Sequence, residues 1–336
     1  MNWQVEAKAG GVYLPQVDFW MDPKKPQRRA LVTHAHYDHL AAHGEILASS
    51  GTAELLKVRV PKGARIRKIE FGKPMSLGRG TTLTLYPAGH ILGSSMALVE
   101  KVSGHGKKKS RLLYTGDFKL RKSLSAEACK PVRADVLVME TTFGLSKYRM
   151  PPSEQVRGEI LEFCHENLAK GRVPVLLGYA LGKSQEIMRV LEKGKWPLLL
   201  HPSIQTMAGI YRKMGVALPE GRTLNATTGK KAEGHVVLCP PQAVRSKGLQ
   251  KMGAIKTAIL SGWALEKGAI YRYRCDAAFP LSDHADYDEL WEMVKLVQPK
   301  QVRTLHGFAR EFAMDLQEKG IEAWALTGDT QMVLPI

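Results

Sequence analysis

Short apolar runs closed by polar residues dominate residues 10 to 140, and they predict strands at Arg29–Thr33, Thr81–Tyr86, Met96–Val102, Arg111–Thr115 and Asp135–Met139. Several of these runs stop at a chemically distinctive group. Thr33-His34, Ala88-Gly89-His90, Thr115-Gly116-Asp117 and Glu140-Thr141 put His, Asp and Glu at predicted strand ends and in the loops beyond them, where rigid elements can hold converging groups. The texture changes at Pro151. Val156, Ile160, Leu161, Cys164 and Leu168 recur at helical spacing after Ser153, read as an N-cap. Strands at Val173–Leu177, Trp196–Leu200, Val236–Leu238 and Ala258–Leu260 then alternate with helices at Lys183–Lys193 and Ile204–Met214, the pattern of a parallel sheet covered by helices. Beyond residue 265 polar groups return in Leu281-Ser-Asp-His284 and Leu305-His306, followed by an amphipathic stretch and a last strand at Gln331–Leu334. The expected organisation is one domain interrupted by another: 1–150, an insert at 151–265, and a return at 266–336.

Composition narrows the classes. The chain has 336 residues, 44% of them hydrophobic and 24% charged, which is ordinary globular usage, and no apolar run reaches the roughly 20 residues of a membrane span. The first residues show no charged leader with an apolar core, so a cytoplasmic location is expected. Cys129, Cys164, Cys239 and Cys275 are widely spaced without a CxxC pair, which suits reduced packing residues better than disulfides or a thiolate metal site. Lys and Arg outnumber Asp and Glu by 49 to 32, a net charge of +17 that favours a polyanionic partner, although a basic surface can also serve solubility alone. Lys107-Lys108-Lys109 beside Gly104 and Gly106 reads as a basic hairpin tip.

The candidate chemistry centres on Thr33-His-Ala-His-Tyr-Asp-His39, where three imidazoles and a carboxylate fall within six positions. In a tight loop after a strand these groups can diverge to two neighbouring cations, and zinc accepts both nitrogen and carboxylate oxygen at about 2.0–2.2 Å. Four residues do not complete two catalytic sites. His90, Asp117 and His284 are the groups that can supply the rest, and an aspartate is suited to bridging.

This series, HxHxDH followed by a downstream His and a Gly-Asp, resembles the metallo-β-lactamase superfamily. The resemblance implies an α/β fold, an αββα sandwich, with two zinc ions, manganese being the other candidate. It implies His34, His36 and His90 on one ion, Asp38, His39 and His284 on the other, Asp117 bridging them, and Asp22 in Phe19-Trp-Met-Asp22 orienting ligands from behind. Asp22 also reads as a plain turn residue before Pro23.

The order Glu140-Thr-Thr-Phe-Gly144, a long α/β stretch, Ser282-Asp-His284 and then His306 resembles the β-CASP nucleases, whose inserted domain would be the α/β block. It implies roles in the reaction for Glu140, His284 and His306 beside Asp38 and Asp117. Within that branch Phe143-Gly-Leu-Ser-Lys-Tyr148-Arg149-Met-Pro-Pro152, Gly178–Ser184, Leu260-Ser-Gly-Trp263 and Leu281–Asp286 are similar to bacterial DNA repair exonucleases encoded with a DNA ligase and a helicase. The resemblance therefore implies a DNA exonuclease acting on single-stranded or end-containing DNA, with ligase and helicase as partners. It also implies substrate contacts at Tyr148 and Arg149. His306 departs from the DNA-directed members, which carry Val there, and keeps an RNA-processing enzyme in view. A non-catalytic scaffold is disfavoured because every expected ligand is present.

Gly178-Tyr-Ala-Leu-Gly-Lys-Ser184 approaches an ATP-binding loop but has three residues before Gly182-Lys183 where that loop needs four. The N-terminus of the following helix, with Lys183 and Ser184, is instead expected to hold a phosphate of the substrate, or simply to start a helix.

Overall fold

A computed structural model describes residues 3–78, 80–102, 109–225, 227, 231–245, 249 and 252–326. The Lys107–Lys109 hairpin tip, apart from Lys109 itself, and the strand expected at Gln331–Leu334 lie outside the described residues. The chain divides into two compact units, one made of residues 1–122, 126–149 and 284–336, the other of 123–125 and 150–283.

The first unit contains two sheets. Strands β1 (Glu6–Lys8), β2 (Gly11–Leu14), β3 (Phe19–Met21), β4 (Arg29–Leu31), β5 (Glu45–Ser49) and β6 (Ile66–Ile69) form one in sequential order. The other runs β19-β18-β11-β10-β9-β8-β7, from β7 (Met75–Gly78), β8 (Thr81–Pro87), β9 (Ser95–Val102), β10 (Lys109–Tyr114) and β11 (Val136–Glu140) to β18 (Gln301–Leu305) and β19 (Glu322–Ala325). Residues Val136 to Met139 show how the layers form. Val136 and Val138 pack with Met21, Leu31 and Leu47 of the first sheet, while Leu137 and Met139 pack with Leu290 and Met293 of helix α6 (Tyr287–Val297) and Phe312 of α7 (Ala309–Glu318). A strand covered on both faces loses its alternation and reads as continuously apolar. Helix α1 (Ser50–Leu56) follows β5 on the first sheet, with the Ser49 hydroxyl capping it at Thr52 N. The layering is that of an αββα sandwich.

The direction of these strands places the chemistry. β10 pairs in parallel with β11, and β11 with β18; β8 and β10 both run antiparallel to β9, so all four point the same way. β3, β4 and β5 are likewise mutually parallel. Asp22, His34, His90, Asp117 and His306 lie just past β3, β4, β8, β10 and β18, and Glu140 is the last residue of β11.

The second unit is a parallel sheet in the order β14-β13-β15-β12-β16-β17, from β12 (Val173–Leu177), β13 (Leu198–Leu200), β14 (Arg222–Thr223), β15 (Val236–Cys239), β16 (Ile255–Leu260) and β17 (Ala277–Phe279). Helices α2 (Ser153–Ala169), α3 (Lys183–Leu191), α4 (Pro202–Lys213) and the short α5 (Ala269–Tyr273) belong to it. Ser153 is the first helical residue of α2, with Pro152 at the cap. The expected return at residue 266 falls too early. Ala277 to Phe279 adds a sixth strand beside β16, so the chain re-enters the first unit at His284. All four cysteines are free, and burial pushes the thiols of Cys164 and Cys239 up to about 12, which suits packing. Among the described residues no helix is long and apolar enough to cross a membrane.

Candidate metal centre

The HxHxDH loop leaves β4 while still paired: Val32 N donates to Leu47 O, and Thr33 N donates to Asp22 Oδ1 at 2.7 Å. Asp22 is buried, and its other oxygen accepts from the Thr33 hydroxyl at 2.6 Å and from the Tyr114 hydroxyl at 2.9 Å. It also lies 3.1 Å from His39 Nδ1. The Thr33 hydroxyl spends its one proton on Asp22, so its 3.1 Å contact with His34 Nδ1 requires the ring to donate there. His34 Nε2 is then left with a lone pair. Asp22 is thus placed to orient two imidazoles of the cluster, His34 through Thr33 and His39 directly. Its φ of 49° is left-handed, a region Asp tolerates better than most side chains.

His39 closes a short turn over Tyr37–His39, where Leu40 N donates to Tyr37 O, and turns inward while Asp38 stays exposed. His90 is held from the other sheet by the Ser94 hydroxyl, which accepts from His90 N and Ile91 N. Gly89 before it has φ +81°, and a Cβ there would sit 2.2 Å from the Lys119 carbonyl; Gly116 before Asp117 has φ +53°, with a Cβ 2.7 Å from the Thr33 hydroxyl. Both positions require glycine for the next residue to face the cluster.

The groups converge on Asp117 Oδ2. His34 Nε2 and His39 Nε2 each lie 3.5 Å from it, His90 Nε2 and His284 Nδ1 each 3.9 Å. His90 Nε2 is 3.1 Å from His36 Nδ1, and His39 Nε2 is 3.7 Å from Asp38 Oδ2. Ligands at about 2.1 Å around a tetrahedral ion are separated by roughly 3.4 Å, so these spacings suit zinc. His34 Nε2 is buried without a hydrogen-bond partner among the described residues, a state that an ion would resolve. The possible ligand atoms of His34, His36, His90 and Asp117 all lie within 4.8 Å of one another, and so do those of Asp117, Glu140 and His284. Burial pushes the Asp117 carboxyl up, but the imidazoles of His39, His284 and His34 overcome this and hold it well below the usual carboxylate range.

Glu140 ends β11 fully enclosed. One oxygen accepts from Phe118 N at 2.8 Å, the other from the Thr142 hydroxyl, and both face His284 Nδ1 at 3.1 and 3.0 Å. Glu140 is therefore placed to orient His284 as much as to meet a cation. His306 follows β18 with φ 61°, its carbonyl accepting from the Thr141 hydroxyl and its ring 5.9 Å from that of His39. Burial pushes its imidazole down to about 4.

The phosphate-holding residues expected outside this cluster are engaged elsewhere. Lys183 Nζ is buried in the second unit, donating to the Leu281 carbonyl and lying 2.7 Å from Asp283 Oδ1. The buried Ser184 hydroxyl donates to Tyr179 O at 2.8 Å. Both side chains at this helix start thus have partners within the second unit. Truncation in a Lys183→Met variant should cost about 3–5 kcal/mol of second-unit stability, the range for breaking a buried ion pair, and leave phosphate affinity unchanged; chemical unfolding followed beside inorganic phosphate titration checks both. Tyr148 is also buried, its ring against Phe143 and Phe308. Arg149 is exposed, paired with Asp288 at 3.0 Å and lying over the Tyr287 ring at 4.9 Å. The features that sequence reasoning passed over are Thr33 and Tyr114, the partners of Asp22; a buried hydroxyl carries no motif.

Comparison with known proteins adds the following. Residues 272–326 match the family described as Zn-dependent metallo-hydrolase RNA specificity domain. A "Probable DNA ligase" of Opitutus terrae is 48% identical over 336 residues, which is all of this chain but 32% of that protein. "Transcription termination factor FttA" of Methanothermobacter thermautotrophicus is 34% identical over 127 residues, 37% of this chain and 19% of its own length. "Endoribonuclease YSH1" of Mycosarcoma maydis is 26% identical over 220 residues, 54% of this chain and 24% of its own. The chain thus spans a third or less of these relatives. A crystal structure of a protein of unknown function from Enterococcus faecalis shares the fold, with a TM-score of 0.61 at 13% identity over 90% of this chain and 79% of that one. The matched segment carries both His284 and His306, in a unit whose parallel strand ends already bring His34, His90 and Asp117 together; the segment match and these relatives make the chain similar to the β-CASP branch of the metallo-β-lactamase fold, a family of Zn-dependent metallo-hydrolases.

Proposed function

We propose that the protein is a two-zinc phosphodiesterase that degrades DNA from an end. The observation that carries the reading is the convergence of four imidazoles on the single oxygen Asp117 Oδ2. His34, His36 and His90 with Asp117 would hold one ion, and Asp38, His39 and His284 with the same Asp117 the other. Bound zinc or manganese would supply Lewis-acid polarisation of the phosphoryl oxygens and a water of lowered pKa. Asp22 and Glu140 keep the His39 and His284 rings from rotating. His306, its imidazole held neutral, has a ring N–H to offer a phosphate oxygen rather than a surplus proton for the leaving group.

The preference for DNA is supported by the relative named a DNA ligase, which aligns over the whole of this chain. A nuclease that trims ends would work beside a ligase that joins them, and with a helicase that exposes single strands. The competing reading, RNA processing, draws on the description of the family matched at 272–326 and on the endoribonuclease relative. Zinc- or manganese-loaded protein incubated with 5′- and 3′-labelled single-stranded DNA and matched RNA separates them. Mononucleotides are expected from DNA, and cleavage of RNA alone would replace the reading. Should neither polymer be cut, and an Asp38→Ala, His39→Ala double variant bind metal as well as the parent, the two-zinc assignment fails.

A further inference from the structure

Tyr37 stands inside the ligand loop, between His36 and Asp38, yet its side chain belongs to neither ligand group. The bond that closes the turn, Leu40 N to Tyr37 O, uses only backbone, so any residue could make it. His39, two positions on, is 3% exposed; the Tyr37 side of the same turn faces outward, and Tyr37 is 68% exposed. The ring is not loose. The guanidinium of Arg59 lies 4.2 Å from its centroid, and Arg59 is itself fixed just after α1, where its N–H donates to Leu56 O at 2.9 Å. One face of the phenol is therefore backed by a cation and most of the ring is open to solvent, beside the groups that would hold the reacting phosphate.

We propose that Tyr37, backed by Arg59, is a nucleobase platform for the strand held at the metal cluster. A planar aromatic pinned by a guanidinium offers a stacking face that suits every base, and the guanidinium adds positive charge to a site whose ligand is a polyanion. Stacking on a lone ring needs a base freed from its duplex partner, so the platform selects single-stranded nucleic acid and tolerates any sequence. This deepens the nuclease reading and rests on it.

The test compares the parent, Tyr37→Ala and Tyr37→Trp by fluorescence anisotropy, with metal chelated, on oligothymidylate and on an abasic strand of equal length. Tyr37→Ala is expected to bind oligothymidylate about five- to 150-fold more weakly, the span for one base stacked on an aromatic, and the abasic strand as the parent does. Tyr37→Trp should restore binding. In metal-loaded turnover the same loss should appear in KM for single-stranded substrate far more than in kcat. Equal weakening on both strands, or no rescue by Trp, overturns the proposal. If the parent cuts neither DNA nor RNA while the binding contrast holds, the nuclease reading fails and the platform stands.

Discussion

An Asp117→Asn variant is expected to lose hydrolysis by a factor on the order of 10⁴ or more, with zinc content per chain falling below that of the parent. The amide matches the carboxylate in volume, so the fold survives, while Oδ2, the atom on which His34, His39, His90 and His284 converge, loses its charge. Charge stabilisation by bound cations is worth several kcal/mol, and about 1.4 kcal/mol corresponds to a decade in rate. Metal analysis by atomic emission beside turnover of labelled DNA reads both effects. A variant with full zinc and full activity would show that the shared oxygen is not the organising ligand.

The second large effect is expected at Asp22, which touches no cation in the proposed arrangement. Asp22→Ala strips the acceptors from Thr33 N, the Thr33 hydroxyl and the Tyr114 hydroxyl, all buried, and each orphaned donor costs about 1–3 kcal/mol. It also places alanine at φ 49°, adding about 1 kcal/mol of backbone strain. Unfolding in urea should show a loss of about 4 kcal/mol or more in total. Zinc affinity, read by competition with a chromogenic chelator, should fall about 10- to 100-fold because the His34 and His39 rings are no longer held. Asp22→Asn tolerates the backbone and fills the same space, so it should recover much of the stability and less of the affinity. An alanine variant with parental zinc affinity would leave Asp22 a purely structural acid.

The contrast between these two residues and Lys183 shows what was legible in the sequence. Asp117 and the HxHxDH loop could be read because their chemistry is local and their residue types are costly to place together without a purpose. Strands such as Val173–Leu177 could be read because both faces are buried and the run stays apolar. The segment from Ala269 to Phe279 could not: α5 is one short turn and the three residues of β17 are only half-buried, too little for periodicity to register, so the end of the insert was misplaced. The contacts of Lys183 and Tyr148 are hidden from the sequence for a related reason. A lysine after two glycines at a helix start looks like a phosphate holder, and only tertiary structure supplies the Asp283 carboxylate and the Leu281 carbonyl that claim its ammonium. Three-residue β3 carries little pattern of its own, although with β4 it brings Asp22 and Thr33 side by side.

The parallel pairing of β11 with β18 bears on the order in which the protein becomes native. Val136 lies against Gln301, and Glu140 against Leu305, so the wall that ends in Glu140 has no neighbour on that side until some of the last described strands have been made. Closing so long a loop is slow, and contacts of high sequence separation lower folding rates. Residues 150–283, by contrast, form a nearly continuous unit and can fold as soon as they are complete. On a growing chain the inserted unit is therefore expected to mature first, while β8 to β11 wait with one edge open. The Glu140 to His284 contact forms only when that edge is sealed, so the hydrolytic centre is assembled among the last events of folding, after the segment that interrupts it is already in place.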